Sequence, residues 1–296
     1  MIFYLNSVFS QLNTNLQGIV QIKSAKYELS GFALHPKYGV ICVQDEKSDV
    51  SAIDSVEWKL TKIAGLEIKN SDLEGIDACQ EKIFVLNERK SEVFTLEKQN
   101  LMPIFIDYAK FEKENEFLFQ REKWFNAGYE GLAVDCSNQI LYLIKERTAK
   151  DLNDNRYILE IDIKSGSILR KLEIEGLSPN PDFADAKFER GSNGKPFLYL
   201  LERNDYMVAR LNLQNMDLQR VSFLPYAASP DKKQNLYKTE NPQFGIAEAL
   251  LLTPTQIWIG MDNNQMPVNK NNKWIKQYQL KGKAPLILIL DRPQNF

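Results

Sequence analysis

The chain has 296 residues, 44% hydrophobic and 26% charged, and its 37 basic side chains against 39 acidic ones leave a net charge of −2. That is ordinary globular composition, and the near-neutral balance, with a pI of about 5.7, argues against an electrostatic binder of nucleic acid or membrane surface. No apolar run approaches the roughly 18 residues of a spanning helix, so no membrane span is expected.

Residues 1–12, MIFYLNSVFSQL, are apolar but lack the basic n-region and small-residue cleavage site of a signal peptide. An exported or periplasmic location would require a leader removed before this numbering; otherwise the location is cytoplasmic. Residues 18–23 read as an outer strand. From residue 29 onward the chain repeats one unit, a pair of short strands with a tight connection. Its clearest copy is residues 73–89, LEGIDACQEKIFVLNER, where Glu74 opens the first strand and Glu88 closes the second. In an antiparallel hairpin those two ends lie side by side, so the two carboxylates meet.

The first copy, residues 29–46, places Ser30 and Asp45 at these positions. After the 73–89 copy come 129–147 with Glu130 and Glu146, 183–203 with Asp185 and Glu202, and 246–264 with Glu248 and Asp262. The offsets within a copy are 15, 14, 16, 17 and 14 residues, the longest where residues 191–196 lengthen the turn, a place where hairpins tolerate insertion. The copies start 44, 56, 55 and 63 residues apart. A repeat of that length built from short strands signals radial repetition, as in a β-propeller. The second strands alternate, with Ile41, Val43 and Asp45 on one face, then Phe84, Leu86 and Glu88, and so on round the chain. The opposite face is also apolar, as expected of blades packed on both sides.

The expectation is therefore an all-β chain, a single β-propeller domain over residues 1–296. Five blades are favoured, with strands near 30–68, 74–108, 130–174, 184–224 and 246–291. The fifth has only three strands, and residues 18–23 would supply the fourth, closing the ring without an open edge. Six blades are the alternative, the sixth assembled from residues 1–16, 110–123 and 227–242. The three cysteines, Cys42, Cys79 and Cys136, form no CxxC and no even framework and read as packing residues.

Certain motifs carry a resemblance. Asn126-Ala-Gly-Tyr-Glu-Gly-Leu-Ala133, followed by Leu141-Tyr142 and Glu146-Arg147, resembles the propeller family named for an esterase-like activity of phytase. Leu200-Leu-Glu-Arg203 and Gly260-Met-Asp-Asn263 resemble later motifs of that family. Asp72-Leu-Glu-Gly-Ile76 with Asn87-Glu-Arg89 also resembles the related bacterial SdiA-regulated proteins. The resemblance covers about residues 29–291. It implies a β-propeller, often exported, with proposed phosphatase, esterase or metal-binding roles. The chain departs from the pattern at Ser30 and at Ile246-Ala-Glu-Ala249, where Glu-Gly is expected.

In a propeller the first-strand starts and second-strand ends open on one face. Glu74, Glu130, Asp185, Glu248 and Asp262 are thus candidate ligands for a hard cation, Ca²⁺ or Mg²⁺, because an all-oxygen set suits those ions rather than zinc. Glu74 and Glu130 are the candidate catalytic carboxylates. Asn87, Glu88, Asn126, Glu146, Arg147, Glu202, Arg203 and Asn263 complete the candidate binding mouth. The competing account is structural: Arg89, Arg147 and Arg203 each follow a strand-ending Glu and could pair the acids between blades without a metal. The Gly after Glu74 and after Glu130 has a structural reading too, close packing at the axis. His35, the only histidine, falls in a turn at the opposite end of its hairpin, which disfavours Ser-His-Asp or Cys-His chemistry. There is no GxxxxGK[ST] and no GxGxxG.

Two functions follow. The first is a divalent-metal-dependent hydrolase of phosphate or carboxylic esters, working by metal-activated water or a carboxylate pair. The second is a non-enzymatic propeller that binds a cation, sugar or peptide at its mouth. A small-molecule or peptide ligand and a monomeric state are expected. The enzyme requires an acid left unneutralised by Arg and a pocket. The binder expects paired acids with Tyr129, Trp124 and Trp274 at the rim.

Overall fold

A computed structural model describes residues 10–23, 28–45, 47–68, 71–98, 100–115, 118–119, 121, 128–147, 156–174, 182–229, 234–238 and 246–296. Two strands come first, β1 (Ser10–Leu12) and β2 (Leu16–Gln21). Blade I is the meander β3 (Leu29–His35), β4 (Gly39–Gln44), β5 (Lys47–Asp54) and β6 (Lys59–Gly65). Blade II runs β7 (Leu73–Cys79), β8 (Lys82–Asn87), β9 (Glu92–Glu97) and β10 (Asn100–Ile104). Blade III runs β11 (Tyr129–Asp135), β12 (Ile140–Lys145), β13 (Tyr157–Asp162) and β14 (Ile168–Glu173). Blade IV runs β15 (Phe183–Arg190), β16 (Pro196–Glu202), β17 (Met207–Asn212) and β18 (Leu218–Ser222). Blade V has β19 (Ala247–Leu252), β20 (Gln256–Met261) and β21 (Leu286–Asp291).

The fourth strand of blade V is β2, paired antiparallel with β21. The molecule is thus a five-bladed β-propeller closed by an N-terminal strand, as the repeat predicts, with the closing strand at 16–21 rather than 18–23. The described parts of the segments considered for a sixth blade do other work. β1 pairs parallel with β18 and becomes a fifth strand on blade IV. Residues 108–115 form a helix, α1 (Tyr108–Asn115), and a second short helix, α2 (Leu224–Ala227), follows blade IV. A third, α3 (Lys273–Gln277), lies in the insertion of blade V.

The second strands are rich in β-branched and aromatic residues, which fit a surface buried on both sides. Alternate residues reach opposite neighbours. Ile41 and Val43 of blade I pack against Ile76 and Val85 of blade II. Cys42 packs with Leu251 and Trp258 of blade V. Each seam repeats this pattern: Phe84 and Leu86 with Leu132, Tyr142 and Ile144 with Leu198 and Leu200, Leu201 with Leu250. Near the axis the inner strands approach closely. A Cβ on Gly75 would stand 2.8 Å from Leu132 Cβ and 3.1 Å from the Glu130 carbonyl, so the glycine after Glu74 is required by packing alone.

The cysteines correct the sequence reading. Cys42 is a buried packing residue whose thiol burial pushes up to about 12. Cys79 and Cys136, however, form a disulfide between the inner strands of blades II and III, their Cα atoms 5.6 Å apart.

Candidate functional site

The ends of the inner hairpins share one construction. In each blade the β-pairing slips by a residue at the start of the first strand, between Leu29 and Gly31, Leu73 and Gly75, Tyr129 and Gly131, Phe183 and Asp185, and Ala247 and Ala249. The extra residues at these bulges are Ser30, Glu74, Glu130, Ala184 and Glu248. A bulge re-aims the side chain it carries, which is why bulges gather beside sites. Opposite it, the residue just past the second strand turns back. Glu88 N donates to Asp72 O (2.9 Å), Glu146 N to Gly128 O (3.0 Å), Arg203 N to Asp182 O (3.0 Å) and Asp262 N to Ile246 O (2.7 Å). In blade I the Asp45 N–H donates instead to Ser30 Oγ (2.9 Å).

Two rings result. The bulge ring is Ser30, Glu74, Glu130, Ala184 and Glu248; the strand-end ring is Asp45, Glu88, Glu146, Arg203 and Asp262. Blade IV is the exception in both, with an alanine at the bulge and a cation at the strand end. Its expected acids lie one residue away from the ring positions. Asp185 is fully buried below the mouth, accepting from Ala186 N (2.7 Å), Leu250 N (2.7 Å) and Lys187 Nζ (2.8 Å). Glu202 caps its own turn, accepting from Asp182 N, Asn204 N and Asp205 N at 2.8–3.1 Å.

The rings surround a cavity of about 250 Å³. Eight carboxylates line it, from Glu28, Asp45, Asp72, Glu74, Glu88, Glu130, Glu248 and Asp262, against two guanidiniums, Arg89 and Arg203. Arg203 serves one side. It forks onto Glu248 at 2.7 and 2.6 Å, and reaches Glu130 (3.2 Å), Asp182 (3.0 Å) and Glu146. Burial works against its charge, but the acids around it hold its pKa above the ordinary guanidinium value. Arg147 pairs with Glu146 and, at 3.4 Å, with Asp182. Arg89 binds Asp72 at 2.6 Å from an exposed position. Glu74 makes no hydrogen bond or ion pair among the described residues.

Burial raises the acids of this mouth. Desolvation pushes Glu74 well above the carboxylate range, and the charges of Glu248, Asp45, Glu88 and Asp72 push it further. Burial likewise raises Glu130 well above that range and Glu146 to about 8, in each case against the pull of Arg203. Asp262 rises to about 7 through burial and the neighbouring Glu248, although it accepts a bond from Asn264 N (2.7 Å). Glu88, also raised by burial, is held by Gly128 N at 2.8 Å. Two sets of three acids could each converge on one ion: Asp45, Asp72 and Glu74, and the buried Glu88, Glu130 and Glu146, each with oxygens within 4.8 Å of one another.

Of the sequence-derived residues, Glu74, Glu88, Glu130, Arg203, Glu248 and Asp262 line the cavity together, and Glu146 and Arg147 stand behind Arg203. Asn87 is buried, its Oδ1 accepting from Asp72 N (3.2 Å), and Asn263 Oδ1 accepts from Gln265 N (2.6 Å); neither lines the cavity. Asn126 and Trp124 lie outside the described residues. Tyr129 is fully buried against Tyr108 and Tyr157, and Trp274 packs on Tyr226 with its Nε1 on Pro225 O, so neither forms a rim.

Sequence reasoning missed Asp72, Glu28, Asp182 and Lys187. Asp72 and Asp182 each stand just before a first strand, a recurrence that could have marked them. Lys187 gave no signal. Its Nζ crosses the axis from blade IV to Ile76 O of blade II (3.2 Å) while also bonding Asp185, and so obstructs the channel below the mouth.

The fold has solved likenesses. The glutaminyl cyclase of Myxococcus xanthus aligns over 95% of this chain and 98% of its own, at 8% identity and a TM-score of 0.56, a similarity of fold alone. The PQQ-bound aldose sugar dehydrogenase of Streptomyces coelicolor (10% identity, 94% and 97% covered, TM-score 0.47) and the virginiamycin B lyase of Staphylococcus aureus (13%, 95% and 100%, 0.45) fall below the level at which a likeness carries an argument. No curated protein matches the chain in sequence. The profile of the SdiA-regulated family, in contrast, matches residues 8–224. That span takes in four of the five blades with their acidic hairpins, and the chain belongs to the SdiA-regulated family.

Proposed function

We propose that the acidic mouth binds a hard divalent cation, Ca²⁺ or Mg²⁺, through Asp45, Asp72 and Glu74, and that it hydrolyses a small phosphate or carboxylic ester there. The observation that carries this is Glu74, a partly buried acid in a cavity of acids with no partner among the described residues. The seams between blades support it. At the IV–V seam the strand-end position of one blade holds a cation, Arg203, which pairs with the bulge acid Glu248 of the next. At the I–II seam those same two positions are Asp45 and Glu74, both acids. The Asp45, Asp72 and Glu74 oxygens, all within 4.8 Å of one another, could converge on an ion with oxygen ligands at about 2.3–2.6 Å.

A cation bound there would polarise an ester oxygen and lower the pKa of water. The residues supply the rest. Arg203 pairs with Glu130 and Glu248 and orients both, leaving Glu74 to take up or return a proton. Burial and the neighbouring acids raise its affinity for that proton, the direction a carboxylate general acid needs. Lys187 obstructs the channel, so ligand entry and product exit share the mouth. The non-catalytic reading keeps the ion and drops the proton transfer.

The test pairs calorimetric titration of Ca²⁺ and Mg²⁺ with hydrolysis of p-nitrophenyl phosphate and p-nitrophenyl acetate, for wild type and Glu74→Gln. Binding weakened about tenfold or more in the variant, with ion-dependent turnover lost, is expected. Binding without turnover leaves the non-catalytic propeller. No binding at millimolar ion leaves a mouth held by arginine pairing alone.

A further inference from the structure

The seam between blades II and III is tied at three levels. At the mouth, Gly75 lets the strands meet beside Glu74 and Glu130. Halfway down, Asp77 Oδ2 of blade II accepts from Val134 N of blade III at 2.8 Å. At the far end stands the Cys79–Cys136 disulfide, the only covalent link between blades among the described residues. All three ties join β7 to β11 or, for the disulfide, to Cys136 just past its end. Those strands also carry two of the mouth's acids, Glu74 and Glu130, and when both are ionised the charge of one opposes that of the other and acts to part the seam. The disulfide opposes that opening from one end, and a cation bound among the acids would oppose it from the other.

We infer that the Cys79–Cys136 disulfide is a redox-controlled clamp on the mouth: oxidised, it holds β7 and β11 in the spacing that binds the cation, and its reduction weakens that binding. The inference rests on the cation reading of the mouth. Both sulfurs belong to partly exposed residues, so a small dithiol can reach them. A thiolate of the dithiol attacks one cysteine sulfur, breaking the S–S bond and forming a mixed disulfide. The other cysteine leaves in that step as its thiolate; the dithiol's second thiol then closes a cyclic disulfide and expels the attacked cysteine, and both cysteine thiolates take up protons. Two electrons and two protons pass to the protein, giving two thiols, while the dithiol is oxidised. Cys42 does not compete, being fully buried with its thiol kept protonated.

Coupling of two clamps on one seam is reciprocal. If reduction lets the seam open part of the time, the apparent affinity falls by the fraction still closed. Calcium is titrated calorimetrically into oxidised protein, into protein reduced with dithiothreitol and then freed of it under argon, and into Cys79→Ser/Cys136→Ser. The expected result is binding roughly three- to tenfold weaker in the reduced protein and the double variant, with no effect of reductant on the variant. Equal affinity in both redox states overturns the coupling and leaves the cation site standing. Absence of calcium binding in the oxidised protein overturns the cation reading itself. Should the reduced forms fail to fold, the rate at which dithiothreitol reduces the native disulfide, followed by alkylation and mass spectrometry, gives the same answer from the other side. Calcium should slow it by a similar factor, and equal rates with and without calcium overturn the proposal.

Discussion

Arg203 and Glu74 define the two halves of the mouth. Among the described residues Arg203 is the only side chain that joins the acids of blades III and V, and its counterions are buried or half-buried. Removing it strands several carboxylates that water hydrates poorly, the circumstance in which breaking a buried pair is costly. Arg203→Met should therefore destabilise the protein by roughly 3–5 kcal/mol at pH 8 in urea unfolding, and by less at pH 5, where the acids can take protons. An unchanged midpoint at pH 8 would show that the acids are solvated well enough to need no internal cation. Both residues are recognisable in the sequence as mouth residues, because the hairpin repeat places them at its ends. Their opposite roles are not. Nothing in Leu200-Leu-Glu-Arg203 says that the Arg, not the Glu, takes the ring position, since that depends on which residue is the bulge.

At the scale of the strand and the blade, alternation and repeat length were enough to read five sheets and their closure by the N-terminal strand. Both follow from apolar periodicity, and the hairpins bury both faces. Blade IV was misregistered by one residue because its bulge falls on Ala184, which has no chemistry to mark it, while acids happen to flank the ring positions at Asp185 and Glu202. The disulfide was equally hidden. Cys79 and Cys136 are 57 residues apart with no motif between them, and only the packing of consecutive inner strands brings them together. The closing strand yields a graded test. Deleting residues 1–13 removes β1, which adds a fifth strand to a blade that is already complete, and should lower the thermal midpoint by only a few degrees. Deleting residues 1–21 also removes β2, exposing the β21 edge and unburying Ile19. It should lower the midpoint by on the order of 10 °C or more, or abolish folding. Equal midpoints for the two truncations would mean that β2 does not hold the ring shut.

Over the whole molecule, the arrangement is a ring of blades whose apolar seams hold acids together at one end. That makes stability depend on pH in a direction opposite to the usual one for paired carboxylates. In the unfolded chain these groups would lose their protons near the ordinary carboxylate value of about 4. In the folded protein burial holds the proton to about 7 on Asp262, Glu202 and Asp185 and to about 8 on Glu146. Between those limits the folded state binds more protons than the unfolded one, so stability falls as pH rises. The contribution is complete below about pH 4 and is lost progressively through about pH 8, apart from the acid unfolding that other, normally titrating carboxylates impose at the low end. The thermal midpoint of metal-free protein should thus decline from pH 5.5 to pH 8.5. Cation binding runs the other way, because Asp45, Asp72 and Glu74 coordinate an ion only when deprotonated. The upward shift in midpoint produced by millimolar Ca²⁺ or Mg²⁺ should grow over the same interval, and in Glu74→Gln it should be small and nearly flat. A midpoint that rises with pH in chelator-treated protein would mean that arginine pairing outweighs burial throughout the mouth. The ring would then be held together by its charges, and its apolar seams would not be working against them.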